Sequence, residues 1–576
     1  MTASSIQISN HADRKEAERP LCAAASAKTL TPAETDLWIF RDGRRTVSGP
    51  GMLRDLQRRV ASENGLLDAL ILAGELEAAL SDAQSPDDHV ASALTDALAY
   101  KVCTGEWQEG ESPQQIARRI NAVGINVPES IEVAPPEGFT YYALHPLDFA
   151  KAMSRIPGEP GPCAVVGIRS IGTTLSAMAA ASLRASERSV SRITVRPTGH
   201  PYSRTTEFSV EQNRWIQERV SAGSQFLVID EGPGRSGSTF LSVGEALLRA
   251  GVPREAVTII GSRQFDPAEL CADHAADRWR NFRFLSTIPS VSTRFENCIY
   301  IGGGEWRNYF CDSDEARWPE SWTQMERLKF LSPDRKTLFK FEGMGPIGAD
   351  VRSRALRLAD AGFSPSVTDT GDGFLAYAVV EGRSLRREDI SASLLERMAR
   401  YCAFRASELR SEQSGGNELR QMLEFNVQQE FGRELKLNTD DLACVQPVLA
   451  DGRMQPHEWL VSSSGEFLKT DAISHGDNHF FPGSCDIAWD LAGAAVEWQL
   501  GPEELEFLLD KFARITGTKV SSQITPYILA YCIFRLGFCK MAMSTVRGSR
   551  EEWRLDQAYR WYRRRAEEIL FKVASA

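Results

Sequence analysis

The chain has 576 residues, 42% of them hydrophobic and 25% charged, with a formal net charge of −11. That length is several times the usual domain of about 100–200 residues, so several domains are expected, and the acidic balance argues against non-specific nucleic-acid binding. No uninterrupted apolar run approaches the roughly 18 residues that would span a bilayer, and the eleven cysteines contain no CxxC pair, which fits a soluble chain in a reducing, cytoplasmic compartment.

Residues 1–34 mix charge with small side chains, lack the apolar stretch of a signal peptide, and read as a disordered tail. Residues 35–130 read as a helical region: LLDALILAGELEAALSDA and HVASALTDALAYKV repeat apolar residues at three- and four-residue intervals. The Pro-, Gly- and acid-rich INVPESIEVAPPEGF marks a boundary near residues 126–138. From 131 to 292, CAVVGIRS, SRITVRP, QFLVIDE, AVTIIGS and FRFLSTI read as strands separated by helical stretches. Such alternation predicts a parallel sheet with helices on its faces and ligands beyond the carboxyl ends of its strands.

One stretch in that region, VIDEGPGRSGSTF, carries chemistry. Gly232, Gly237, Ser238 and Thr239 match the spacing of a nucleotide phosphate loop, but Ser238 stands where its lysine belongs. Asp230 and Glu231 close the apolar strand, and adjacent carboxylates suit a sugar diol better than a bare phosphate. Two acids followed by a Gly/Ser/Thr loop opening a helix resemble the phosphoribosyl-pyrophosphate motif of type I phosphoribosyltransferases. The resemblance implies that Asp230 and Glu231 hold ribose hydroxyls while Arg235, Ser236, Gly237, Ser238 and Thr239 cradle a phosphate at the helix start. Upstream, GIRSIGTT resembles that family's pyrophosphate loop, with Gly167, Arg169, Ser170, Gly172 and Thr173 as contacts. Between them, TVRPTGHPYSRTT resembles its mobile catalytic loop, with Arg196, His200 and Arg204 facing pyrophosphate charge. The four residues Gly232 to Arg235 depart from the family's usual three.

Residues 293–326, with RWPESW, read as a linker, and 327–576 as a small sheet followed by a helical lobe. Here Lys340 in LFKFEG and the stretch DGRMQPHEWLVSSSGEFLKTDA resemble the aminoglycoside phosphotransferase group of kinase-like proteins. The resemblance assigns Lys340 to nucleotide phosphates, and Glu458 and Asp471 to the metal, with Asp471 eighteen residues after the catalytic position. That position holds Arg453, which cannot accept a proton as a carboxylate does, so the lobe reads as degenerate. A rival register takes HGDNH as the catalytic stretch with Asp477 as base, but the next acid, Asp486, follows after only nine residues. His475 and His479, with Asp471 and Asp477 nearby, also form a loose metal-site pattern, for which ordinary hydrogen bonding is the preferred reading.

The expected fold is therefore multidomain: an α/β phosphoribosyltransferase-like parallel sheet, an α+β bilobal kinase-like domain and a helical N-terminal region. The leading expectation is transfer of phosphoribosyl from phosphoribosyl pyrophosphate to a small base-like or amine acceptor, with Mg²⁺, and with ATP as the candidate nucleotide of the fused lobe. The alternatives are a ligand-sensing protein without turnover, or a working small-molecule phosphotransferase. No nucleic-acid or membrane partner is expected, and the oligomeric state is left open.

Overall fold

The computed structural model describes residues 44–575 apart from 63, 159–160, 412–414, 436–441, 443, 445, 474 and 477–480. The expected tail (1–34), Asp477 and His479 lie outside the described residues.

The N-terminal region pairs β1 (Arg45–Ser48) with β2 (Ser130–Val133) in antiparallel register around four helices: α1 (Gly49–Ala61), α2 (Leu66–Asp82), α3 (Asp88–Thr104) and α4 (Pro113–Val123). α1 and α4 begin as their sequences dictate, with Ser48 and Ser112 accepting backbone hydrogen bonds ahead of a first-turn proline. α2 differs: it is buried without a break from Asp68 to Leu80, the acids Asp68, Glu75 and Glu77 included. Gly74 makes this close packing possible, since a Cβ there would stand 2.0 Å from the Thr174 hydroxyl of the next layer.

After α5 (Glu137–Tyr141) and α6 (Pro146–Ala152) come β3 (Cys163–Ile168), α7 (Ile171–Ala185), β4 (Val190–Val195), a hairpin of β5 (Thr198–His200) and β6 (Ser203–Thr205), α8 (Val210–Ser221), β7 (Gln225–Ile229), α9 (Ser238–Arg249), β8 (Val257–Gly261) and β9 (Arg283–Ser286). The five strands form a parallel sheet in the order β4-β3-β7-β8-β9. β3 and β8 are buried throughout, which matches their largely apolar sequences, Thr258 being the one polar side chain. The strand order reverses between β3 and β7, and the crevice beyond the carboxyl ends of these two strands is where a sheet of this order holds ligands.

A second, antiparallel sheet follows in the order β10-β11-β12-β14-β13, from β10 (Ile299–Tyr300), β11 (Lys329–Leu331), β12 (Thr337–Phe341), β13 (Val367–Asp369) and β14 (Phe374–Ala378), with α10 (Gly345–Asp360) between β12 and β13. β10 comes from the stretch expected as a linker, of which Ile299 and Tyr300 form an edge of this sheet. β15 (Gly382–Ser384), β16 (Trp459–Ser462) and β17 (Phe467–Lys469) form a small third sheet. Around it pack α11 (Ala392–Glu408), α12 (Gly416–Phe431), α13 (Ala488–Glu497), α14 (Pro502–Thr516), α15 (Ile524–Thr545) and α16 (Arg550–Ser575).

α15 is long and apolar enough to cross a membrane by length and composition, and most of it is buried inside the helical lobe. One apolar cluster joins the first two sheets: Ile71 of α2, Val165, Leu227 and Ile229 of the parallel sheet, and Phe330, Phe341 and Phe374 of the antiparallel sheet belong to a single core.

Candidate functional site

The antiparallel sheet and the helical lobe enclose a cavity of ≈ 240 Å³ whose walls include Val379, Leu460, Lys340, Arg453, Asp471 and His475. Its lining combines apolar side chains with a dense set of charges.

Lys340 lies on β12, the central strand of its sheet, opposite Lys329 on one neighbour and Leu375 on the other. Its ammonium is buried, 2.9 Å from Glu342 and in direct contact with Asp471. α10, the helix that follows this strand, contains no glutamate, and the carboxylate that meets Lys340 from nearby in the chain is Glu342, one residue past the end of β12. Tyr377 donates to Glu342 Oε1 at 3.1 Å.

The loop preceding β16 supplies the opposite wall. Asp490, at the start of α13, accepts the backbone N–H groups of Asp451 (3.0 Å) and Gly452 (3.2 Å), and Arg405 lies 3.4 Å from it. These buried bonds fix the turn that presents Arg453, whose guanidinium stacks over Phe538 at 5.1 Å. Glu458 ends the turn and accepts from the fully buried Lys469 at 2.9 Å. The Nε2 of His475 stands 3.6 Å from both Glu458 Oε1 and Asp471 Oδ2.

Electrostatics keep both acids ionised. Burial opposes the charge on Asp471, but Lys340, His475 and Lys329 outweigh it and hold the carboxyl well below the usual range. Burial likewise works against Glu458, and Lys469 and His475 reverse the balance, so its pKa is lowered. For His475 burial and then Arg453 dominate over the two carboxylates, and its pKa is lowered towards the neutral imidazole. Burial also pushes His457 down to about 4.

The structure thus brings Lys340, Glu458 and Asp471 into one cluster. Lys469, Glu342 and His475 join them, and the sequence reading assigned no role to the first two. His475 had a signal in its four-residue spacing from Asp471. Lys469 had none, because a lone strand lysine resembles any solvated one.

The crevice of the parallel sheet gathers the other expected residues. Gly167 is the next-to-last residue of β3, where a Cβ would meet the Ser176 hydroxyl at 2.2 Å. Ser170 precedes α7 at φ 99°, a strained conformation for a residue with a side chain. Gly172 lies so near the end of β7 that a Cβ would stand 2.6 Å from the Ile229 carbonyl and 3.3 Å from Asp230 Oδ1. The Thr173 hydroxyl is buried and has no hydrogen-bond partner among the described residues. The Glu231 carboxylate packs on Gly138 of α5.

Gly232 and Pro233 are joined by a cis peptide bond, the Arg235 carbonyl accepts from Cys271 at 3.0 Å, and Gly237 takes the left-handed conformation ahead of α9, in whose first turn Thr239 lies. Ser236 and Ser238 do not face open solvent: their hydroxyls donate to the Pro201 carbonyl, at the tip of the β5–β6 hairpin, at 2.9 and 2.6 Å. Arg169 and Arg196 converge on one carboxylate, Asp82 at the end of α2, with Arg169 at 2.8 Å and the Arg196 Nε at 3.1 Å. His200 and Arg204 bond within their own hairpin, to the Tyr202 N–H and the Gly199 carbonyl.

No known protein family and no curated protein matches the sequence. Several solved structures are similar to part of the chain. The choline kinase LicA from Streptococcus pneumoniae is 15% identical over 41% of this chain and 89% of its own, with a TM-score of 0.29. A choline/ethanolamine kinase family protein from Mesorhizobium loti is 13% identical over 42% and 85%, also at 0.29. Spectinomycin phosphotransferase APH(9)-Ia, in complex with ADP and spectinomycin, is 10% identical over 42% and 84%, at 0.28. These values are too low for any of the three to lend this chain an activity.

Proposed function

We propose that the charged cleft between the antiparallel sheet and the helical lobe binds a nucleotide, and that the chain is a small-molecule phosphotransferase in type. The observation that carries this reading is the convergence of Lys340, Glu458 and Asp471 in the lining of a cavity that also carries apolar side chains. Such a cavity accommodates a base against Val379 and Leu460 and turns its phosphates towards Lys340. Glu458 and Asp471 offer ionised oxygens, the donor type that Mg²⁺ takes, and the ion when bound would neutralise charge on the transferring phosphoryl group. Arg453 adds positive charge where a proton-accepting carboxylate would otherwise stand, so the chain's own contribution is positioning and charge stabilisation rather than proton removal at that residue.

Titration calorimetry of the full chain with ATP and GTP tests the binding step. Heat in the presence of Mg²⁺ that is lost in Lys340→Met and Asp471→Asn is expected. Absence of heat with either nucleotide would end this reading. Bound nucleotide without transfer of the γ-phosphate to any small alcohol or amine would leave a sensor in place of an enzyme.

A second reading concerns the crevice of the parallel sheet, as a site for a sugar diphosphate of the phosphoribosyl pyrophosphate kind. It is favoured by the apposition of Gly172 with Asp230 and by the paired Arg169 and Arg196 at the point where strand order reverses. Binding of phosphoribosyl pyrophosphate that is unchanged in Asp230→Asn/Glu231→Gln would remove it.

A further inference from the structure

We propose that Glu458, Asp471 and His475 together form a three-ligand site for a divalent first-row transition metal of the zinc or cobalt type, in preference to magnesium. The inference rests on the nucleotide-cleft reading for its place in function, and on the geometry of three side chains for its existence.

One ligand atom from each residue lies within 4.8 Å of the others. The His475 Nε2 separations from Glu458 Oε1 and Asp471 Oδ2, both 3.6 Å, are too long for hydrogen bonds and too short to admit a water between the groups. Two donors sharing one tetrahedral ion, each at about 2.1 Å from it, stand about 3.4 Å apart. Both separations are within a few tenths of an ångström of that value. The Nε2 atom is shielded from solvent and finds no hydrogen-bond partner among the described residues, so a donor is turned inward with nothing to receive it.

The carboxylates are held in the orientation that such a site requires. Asp471 Oδ1 accepts from Lys340 and Glu458 Oε2 accepts from Lys469, which leaves the Oδ2 and Oε1 atoms nearest the imidazole. Bonds of this kind from outside the ligand set fix ligand rotamers in metal sites. Lys329, 3.8 Å from Asp471 Oδ2, would be repelled by a bound cation, and Glu326 at 3.6 Å gives it another partner.

Donor chemistry then selects the ion. Mg²⁺ favours oxygen ligands in strict octahedral geometry, whereas an imidazole nitrogen beside carboxylates suits the borderline transition metals.

The test uses the full-length protein, stripped with a chelator and titrated with Co²⁺ under absorption spectroscopy and with Zn²⁺ and Mg²⁺ by calorimetry. One equivalent of Co²⁺ with visible d–d bands is expected, with Zn²⁺ bound more tightly than Mg²⁺. His475→Ala should weaken Co²⁺ and Zn²⁺ at least about tenfold. His475→Asp, which supplies oxygen in place of nitrogen, should move preference towards Mg²⁺. His475→Asn keeps size and polarity without the ring donor, and its far-UV circular dichroism guards against loss of folding. Equal Co²⁺ binding in wild type and His475→Asn, or none in wild type, overturns the inference. ATP binding measured in parallel separates the two readings: nucleotide bound without Co²⁺ removes the metal site alone, while Co²⁺ bound at His475 without any nucleotide removes the nucleotide cleft and retains the metal site.

Discussion

Glu75 shows how one side chain can set a pH dependence for the whole fold. It lies in the buried middle of α2, with Oε2 at 3.5 Å from Arg45 and Oε1 without a hydrogen-bond partner among the described residues. Burial raises its pKa to about 7, against the smaller opposing effect of Arg45 and Arg59. A carboxyl raised in the folded state binds a proton there more tightly than in the unfolded chain. Its presence therefore costs nothing below pH 4.5, and the cost grows to roughly 3 kcal/mol as pH rises through 7. Glu75→Gln is expected to match wild type in urea midpoint near pH 4.5 and exceed it at pH 8. Equal midpoints at both would show that Arg45 already satisfies the charge. At this scale the resemblance to the aminoglycoside phosphotransferase group singled out Lys340, Glu458 and Asp471, three residues that line one cavity. It was silent on Glu342 and Lys469, whose roles depend on which buried charge faces them.

α2 works at the scale of an element, because it carries one acid at each end, about 21 Å apart along the helix axis. At its start Asp68 accepts the Gly345 N–H at 2.7 Å and pairs with Arg352 at 2.7 Å, which caps α10 of the antiparallel sheet. At its end Asp82 holds Arg169 and Arg196 in the crevice of the parallel sheet. A carboxylate at a helix C-terminus is disfavoured by the helix dipole, so the two arginines supply the compensation. They are thereby engaged by the protein itself, and an anion entering the crevice competes with Asp82. Asp82→Asn is expected to tighten binding of inorganic pyrophosphate about tenfold in calorimetry, since each 1.4 kcal/mol of released competition is a factor of ten. Unchanged affinity would show that the arginines are structural. The helical pattern of α2 was legible from its letters, but its unbroken burial only hinted that both ends would be put to use.

The whole molecule is less divisible than its sequence suggests. Composition and periodicity separate a helical block, an alternating strand–helix region and a sheet followed by helices, and the structure contains all three. Yet Phe330, Phe341 and Phe374 of the antiparallel sheet, with Met344 ahead of α10, share one core with α2 and the parallel sheet, and β10 lies upstream of residue 327. A fragment of residues 327–576 should consequently expose that apolar face and an unpaired edge at β11, and either aggregate or unfold at a lower denaturant midpoint than the same region in the full chain. A soluble fragment with full-length stability and nucleotide affinity would show the shared core to be dispensable. The loop at Asp451 belongs to this scale too, because its anchor arrives from α13. Asp490→Ala would leave two backbone donors unpartnered in the interior while Arg405 keeps its bonds to Tyr401, Ala472 and Leu449, at a cost of about 1–3 kcal/mol per donor, visible as faster amide exchange at Asp451 and Gly452.

The sequence by itself determined the local elements and the parallel sheet, because apolar periodicity and the Gly/Ser turns after β3 and β7 are properties of short stretches. It also determined that residue 453 carries no carboxylate, which is a matter of identity alone. Only the tertiary structure decided which charges meet. Asp82 lies 87 residues from Arg169, and Asp471 lies 131 from Lys340. Those pairings follow from the packing of separate layers, and no local pattern in the chain encodes them.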